Sequence, residues 1–340
     1  MKKKIIISGI AGQDGSLMAK YLISKNYKVY GVVKNSKTLN ISNLKFLNID
    51  KKIHYLKSDI SNHKQITYFI KKIKPTLFFN FAGISSLSHS FNFILKNDKI
   101  NNYAVLNILE SIRRFSNKTK FFQSSSSELF KKENKIVNEL SKFEPMSPYS
   151  IAKLSAYYYL KFYRENYNLF AVNGFMFNHE SFFRGKNFIT KKIVSSLVKY
   201  KFGNKSFKTI KVGNINIKKD WGDAEEYMTI IYRAMMLKKA SDYLICSGTL
   251  NSVKTFIDEV AKFLNIKIIW IKIKKKYQKA VDREGKVIIV VDKQLFRDND
   301  TCFVKGNNKK ISKTLNLTIK SNIKHLIKKM VTFEIKNASN

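Results

Sequence analysis

A triplet of glycines set directly behind a short apolar run constrains this chain more than any other feature. Ile5-Ile6-Ile7-Ser8 leads into Gly9-Ile10-Ala11-Gly12-Gln13-Asp14-Gly15, and an amphipathic stretch with Leu17, Ala19, Leu22 and Ile23 on one side follows from Ser16 to about Lys25. A strand, a glycine turn and a helix in that order let a pyrophosphate approach the backbone at a helix N-terminus, where free N–H groups and the helix dipole favour an anion. The same alternation continues down the chain. Apolar runs at about 4–8, 28–33, 52–56, 76–81, 119–124 and 169–177 read as strands, and Asn101 to Arg114 repeats Val105, Leu106, Ile108, Leu109 and Ile112 at helical spacing. A further strand is expected at Tyr243-Leu244-Ile245-Cys246. This order builds an α/β doubly wound parallel sheet. The chain leaves that sheet near residue 178 and briefly rejoins it.

Composition narrows the reading. At 340 residues the chain holds one large or two joined domains, and with 44% hydrophobic residues, 3 Pro and 13 Gly it lies far from disordered compositions. The net charge of +40 invites a nucleic-acid reading, but 57 of the 64 basic residues are lysines spread over most of the length, with no single arm or stripe. A solvated lysine-rich surface is expected, and no nucleic-acid partner. Cys246 and Cys302 form neither a disulfide framework nor a metal-ligand spacing, so no metal is expected and a reducing compartment fits. Without a stretch of ~20 apolar residues or an export signal, the expectation is a cytoplasmic protein that does not enter membranes.

Further candidates sit where the predicted strands end. After the second strand a nicotinamide-dinucleotide fold often places an acid for the ribose 2′-hydroxyl, yet Lys34 stands here; a cation suits a 2′-phosphate, so NADP is preferred over NAD. Asp59, followed by Ile60, ends the third strand and can receive an adenine amino group, while Phe81-Ala82-Gly83 after the fourth supplies small residues beside a cofactor. Ser147-Pro148-Tyr149-Ser150-Ile151-Ala152-Lys153 places Tyr149 and Lys153 one helical turn apart behind a Ser-Pro start. An ammonium beside a phenol, with a nicotinamide cation, lowers the phenol pKa toward the range of an acid/base. Tyr/Lys pairs of this spacing also occur at Tyr21/Lys25, Tyr30/Lys34 and Tyr157/Lys161, so context singles out Tyr149. That context is Gln123-Ser124-Ser125-Ser126-Ser127-Glu128, where a hydroxyl can bond the substrate oxygen that Tyr149 deprotonates and a carboxylate can reach a neighbouring carbon.

Taken together, Gly9 to Ser16, Ser126-Ser127-Glu128, Tyr149/Lys153 and above all Asn168 to Gly174 running into Phe177-Asn178-His179-Glu180-Ser181 resemble the extended short-chain dehydrogenase/reductase superfamily, and within it the GDP-mannose 4,6-dehydratases. Arg184 to Ile193 and Gly213 to Gly222 continue the resemblance, which runs from near residue 4 to about 330. It implies a Rossmann-like NADP-binding domain (1–177 and about 214–250) with a smaller C-terminal α/β domain for the nucleotide sugar (about 178–213 and 251–335). It also implies a homodimer or homotetramer. In the implied reaction Tyr149, with Ser126 and Lys153, takes the proton of the sugar 4-hydroxyl as hydride leaves C4. Glu128 takes the C5 proton as water leaves C6, and hydride returns to C6. Lys153, His179 and Arg184 are then expected at the cofactor, Ser126, Asn178, Lys192 and Lys219 at the nucleotide sugar, and Arg297 at its diphosphate. The chain departs from the family pattern with Ser126 for a Thr, Lys34-Asn35 for paired arginines, and Lys219 for an Arg. The alternative within the superfamily is an NADP-dependent nucleotide-sugar reductase or 4-epimerase, which needs Ser126, Tyr149 and Lys153 but no C5 base. A catalytically idle member would bind the cofactor without turnover.

Overall fold

The computed structural model describes residues 2–34, 40–85, 87–131, 133, 135–274, 277–296 and 303–338. Seven parallel strands form the central sheet: β1 (Lys4–Ser8), β2 (Lys28–Val33), β3 (Ile53–Lys57), β4 (Leu77–Asn80), β5 (Lys120–Ser124), β6 (Ala171–Met176) and β7 (Asp242–Ile245). Their spatial order is β7-β6-β5-β4-β1-β2-β3, so the crossover reverses beside β1. Ligands in open α/β sheets bind in the crevice at such a switch point. The expected strands each appear, displaced by at most two residues at either end.

Helices cover both faces. On one side α1 (Gln13–Ser24) packs with α6 (Ala224–Met235), closing a core that contains Ile5, Ile7, Phe79, Phe122, Met228 and Ile231. On the other, α2 (His63–Ile73), α3 (Ala104–Phe115) and α4 (Pro148–Asn166) pack over Ile6, Phe78 and Phe121. Alternate residues of β1, β4 and β5 thus serve opposite cores, as the period of two demands. Two starts differ from the sequence expectation. α1 begins at Gln13, because the glycine turn itself closes into the first helical turn. α3 begins at Ala104, since Lys99–Tyr103 forms a turn of π-helix that includes Asn101.

A second core lies outside this sheet. Ile210–Val212 joins Ile269–Lys274, Tyr277–Val281 and Val287–Val291 in a four-stranded sheet, against which α5 (Ile189–Lys201), α7 (Val253–Phe263) and α8 (Ile323–Ala338) bury Val194, Leu197, Phe256, Ile257 and Met330. The segment after residue 213 divides between the two: Ile215 and Trp221 pack in the second core, whereas Ala224 onward packs in the first. Asn178–Glu180 pairs in parallel with Trp221–Asp223, one short ladder at the junction.

Candidate active site

The glycine turn fits a phosphate group. Gly9 has φ +69°, and a Cβ there would lie 2.8 Å from the Ala82 nitrogen; a Cβ on Gly15 would meet the Gly9 oxygen at 2.2 Å. Only glycine allows the chain from β1 to fold this closely against both β4's exit and α1. Gly12 is the N-cap of α1 and has no side chain to occupy the first-turn N–H groups. This cradle of bare backbone, with Ile10 buried beneath it and Ala11 accepting a hydrogen bond from Asn43 Nδ2 at 3.0 Å, suits a dinucleotide pyrophosphate.

Lys34 and Asp59 come together at the ends of β2 and β3. Lys34 is exposed, and its charge acts on Asp59. The Asp59 carboxyl lies below the usual carboxylate range: partial burial raises it, but the Ser61 N–H and hydroxyl, donating at 2.9 and 2.8 Å, and the charges of Lys34 and Lys99 outweigh burial. Ile60 behind it is buried.

The exit of β4 leads to the candidate catalytic groups. Phe81 and Ala82 touch Gly9, and a Cβ at Gly83 would sit 2.7 Å from Asn101 Oδ1 and 3.5 Å from Lys153 Nζ. The catalytic candidates stand on α4, started by a reciprocal capping box in which the Ser147 hydroxyl accepts from the Ser150 N–H at 3.1 Å and the Ser150 hydroxyl from the Ser147 N–H at 3.0 Å. Tyr149 and Lys153 point inward from one face of α4 and are buried. Lys153 Nζ donates to the Ser124 carbonyl at 2.8 Å and lies 5.9 Å from the centre of the Tyr149 ring. Ser126, opening the short turn Ser127–Leu129, is hydrogen-bonded to Tyr149, and its hydroxyl accepts from the Glu128 N–H at 3.2 Å. Ser126, Glu128, Tyr149 and Lys153 therefore converge.

Their electrostatics differ from the sequence expectation in one respect. Burial pushes the Tyr149 phenol up to about 12 and the Glu128 charge adds to this, against the Ser126 hydrogen bond and the Arg184 charge, which lower it. Burial also pushes the Lys153 ammonium down to about 8. In the free protein desolvation thus outweighs the activating effect expected of the lysine, whose ammonium is turned to Ser124.

The Asn-His-Glu-Ser segment closes the turn from the other side. His179 Nε2 lies 3.0 Å from both Asp14 oxygens, Gln13 Nε2 donates to the His179 carbonyl at 3.2 Å, and the Ser181 hydroxyl donates to Gln13 Oε1 at 2.9 Å. Arg184 pairs with buried Glu180 at 3.0 Å and stacks over Phe188 at 3.6 Å. Asn178 is half-buried at the head of this segment. Lys192, exposed on α5, donates to the Lys211 carbonyl at 2.8 Å, and Lys219 is half-buried in a two-residue ladder with Asn251. These two lysines lie on elements beside the second core, just before Ile193 and Trp221 in the chain. Arg297 lies outside the described residues, as do Asn35 and Cys302.

Two polar constellations escaped the sequence reading. In register across the sheet, the Ser8 hydroxyl donates to Asn80, Asn80 Nδ2 donates to Gln123 Oε1 at 2.8 Å, and Gln123 Nε2 donates to the Ser124 carbonyl at 2.9 Å, the oxygen that also holds Lys153. A polar residue at an inward position of each otherwise apolar strand was the available signal. Asn101, in the π-helical turn, accompanies Asn97: Asn101 Nδ2 donates to Asn97 Oδ1 at 2.7 Å, and Asn97 Nδ2 to the Pro148 carbonyl at 2.9 Å. Asn101 Oδ1 is buried without a hydrogen-bond partner among the described residues, beside Gly83. Among the described residues, no group of three or more His, Cys, Asp and Glu could hold a metal ion. Nor is any helix long and apolar enough to cross a membrane.

Comparison with known proteins adds to this geometry. A family model described as GDP-mannose 4,6 dehydratase matches residues 6–330. The chain is 32% identical to a GDP-mannose 4,6 dehydratase of Cricetulus griseus over 98% of this chain and 92% of that protein. Among solved structures it is similar in fold to a dTDP-glucose 4,6-dehydratase of Bacillus anthracis in complex with NAD, at 18% identity and a TM-score of 0.79, covering 99% and 98% of the two chains. It is also similar to the protein RMD of Pseudomonas aeruginosa complexed with NADPH, at 15% identity and a TM-score of 0.76, covering 98% and 100%.

Proposed function

The chain belongs to the GDP-mannose 4,6-dehydratase family, and from that premise we propose that it is a hydro-lyase that converts GDP-mannose to the 4-keto-6-deoxy sugar with NADP as a recycled cofactor. The observation that carries the reading is the convergence of Glu128 on the Ser126, Tyr149 and Lys153 set. Three of these groups suffice for redox at a sugar C4. The fourth supplies the base that water loss requires.

The residues divide the work. Ser126 is placed to bond the 4-hydroxyl oxygen and Tyr149 to take its proton, its phenol brought into range by positive charge when the cofactor is bound. Lys153, fixed on the Ser124 carbonyl, keeps that charge beside the phenol. Glu128 takes the proton from C5, acidified by the adjacent ketone, and Tyr149 can protonate the departing C6 oxygen. A nicotinamide dinucleotide held by the Gly9–Gly15 cradle would supply a hydride acceptor that is recycled within each turnover, so that no net NADPH would be consumed.

NADP rather than NAD is supported by Lys34, which stands where NAD binding would place an acid. The Gly9–Gly15 cradle would hold the pyrophosphate, Asp59 and Ile60 the adenine side, and Phe81–Gly83 the nicotinamide side, with His179 and Arg184 closing the cleft. Asn178, Lys192, Lys219 and Arg297 are assigned to the nucleotide sugar, which the second core would carry. A cytoplasmic setting fits buried, unpaired Cys246.

Self-association as a homodimer or homotetramer belongs to the same reading. In this lysine-rich chain, residues 100–117 contain no lysine and α4 contains only buried Lys153 and Lys161, while the arginines of these segments are paired, Arg113 and Arg114 with Glu110 and Arg164 with Asp242. Along α4, Ile151, Tyr158 and Phe162 are about half exposed, and Phe91 and Leu95 from the segments packed beside it extend the apolar face. Two copies carrying +40 each can meet with least repulsion there.

The first test is incubation of the purified protein with GDP-mannose and catalytic NADP, following the nucleotide sugar by mass. Loss of one water without net change in NADPH is expected. An unchanged mass, or stoichiometric consumption of NADPH with a keto-sugar, refutes the dehydratase.

A further inference from the structure

The phosphate turn carries a carboxylate where it would receive an anion. Asp14 lies in the first turn of α1, beside the N–H groups that suit a diphosphate. An uncompensated carboxylate there would oppose the binding the turn is shaped for. The compensation comes from His179. Its Nδ1 lies 2.7 Å from the Phe177 carbonyl oxygen and its Nε2 3.0 Å from both Asp14 oxygens. A carbonyl oxygen accepts only, and so does a carboxylate, so both ring nitrogens donate and the ring is an imidazolium. Both of its N–H groups are used within the protein.

The surroundings agree with that charge state. Burial opposes charging the ring, and the Arg184 charge opposes it too, yet Asp14 and the Phe177 carbonyl raise His179 above its ordinary value. Asp14 correspondingly lies below the usual carboxylate range, because the His179 charge and the hydrogen bonds from His179 and Gln13 outweigh burial. Arg184 is itself paired with Glu180, the Tyr227 ring from α6 stands 5.5 Å from the imidazole, and Tyr149 faces Asp14 from α4. The Gln13–His179 and Gln13–Ser181 hydrogen bonds fix the same two segments a second and third time.

We infer that Asp14 and His179 act as one neutral unit in which the imidazolium cancels the turn's carboxylate and holds it off the dinucleotide, so that the His179 ring serves cofactor binding through Asp14. His179 is then a positioning residue. The inference rests on the reading that the turn binds a nicotinamide dinucleotide.

A rescue experiment separates this role from direct contact. NADP affinity is measured by calorimetry for the wild type, His179→Asn, Asp14→Asn and the double variant. Removing the ring alone strands a buried carboxylate and weakens binding by about tenfold or more. Removing both groups recovers most of that loss. A double variant as weak as His179→Asn overturns the proposal, since a ring that touched the nucleotide could not be replaced by deleting Asp14. Should His179→Asn fail to fold, the isosteric Asp14→Asn still decides: wild-type affinity falls as pH rises through the His179 titration followed by nitrogen NMR, while Asp14→Asn is flat over the same range. Equal pH dependence in the two proteins, or a neutral His179 ring at pH 7, overturns it. Absence of both NADP and NAD binding by the wild type at every pH overturns the cofactor reading itself, a result distinct from binding without rescue.

Discussion

Lys153 shows how a candidate catalytic group can be costly to the fold that holds it. Its ammonium is buried and pushed down to about 8, whereas a free lysine titrates near 10.5. Between those values the unfolded chain retains a proton that the folded chain has released, so this group makes stability rise with pH from about 8 toward 10.5 and imposes its full penalty below 8. Lys153→Met should therefore melt higher than the wild type at pH 7, with the gap closing as pH climbs through that window; Gln123 continues to satisfy the Ser124 carbonyl. Melting curves in which the gap ignores pH would contradict this. For Glu128→Gln, water elimination should slow by about 100-fold or more while oxidation at C4 persists, seen as transient NADPH absorbance; equal loss of both steps would show that Glu128 acts elsewhere. The convergence of Tyr149, Lys153, Ser126 and Glu128 was legible because each sits in a local motif with its own geometry. The pairing of Asp14 with His179 was not, since it joins positions 165 residues apart and no local pattern records it.

The elements were the most readable level, and their misreadings have local causes. A helix start was expected at Ser16, the first residue of the apolar stripe; the chain enters the helix at Gln13, because Gly12 can cap without a side chain and the turn tightens at once. Asn101 was placed in an ordinary helix, but the π-turn at Lys99–Tyr103 inserts an extra residue, a feature periodicity cannot register over a single turn. The glycines of the turn also differ in what they tolerate. A Cβ at Gly15 lands 2.2 Å from the Gly9 carbonyl oxygen, while at Gly12 the nearest atom is 3.3 Å away and the backbone is ordinary extended chain. Gly15→Ala should cost roughly 2 kcal/mol or more and abolish dinucleotide binding. Gly12→Ala should leave the melting temperature within a few degrees. Equal behaviour of the two variants would mean that the turn relaxes, against the close packing found here.

For the whole molecule, the sheet topology followed from the order of strands and helices, whereas the second core did not follow in detail. Its strands do not share one pattern, since Ile269–Lys274 alternates lysine with exposed apolar residues whereas Val287–Val291 is a continuous, mostly buried apolar run, so no common period of two marks the sheet. The apolar face on α4 belongs to this scale as well. If the proposed self-association uses this face, the wild type should scatter light as a multiple of 39.6 kDa and Tyr158→Lys combined with Phe162→Lys as a monomer of that mass, with cofactor affinity retained; a monomeric wild type or an unchanged mass in the variant would refute it. The seventh strand has one more implication. β7 lies beyond residue 240, yet it completes the sheet beside β6, whose six residues are all buried. As the chain emerges in synthesis, the half bearing Tyr149 and the glycine turn must wait with an apolar, hydrogen-bonding strand edge exposed until some 65 further residues have been made. A chain terminated near residue 200 would keep the glycine turn, Ser126, Glu128, Tyr149 and Lys153 and still be driven to aggregate.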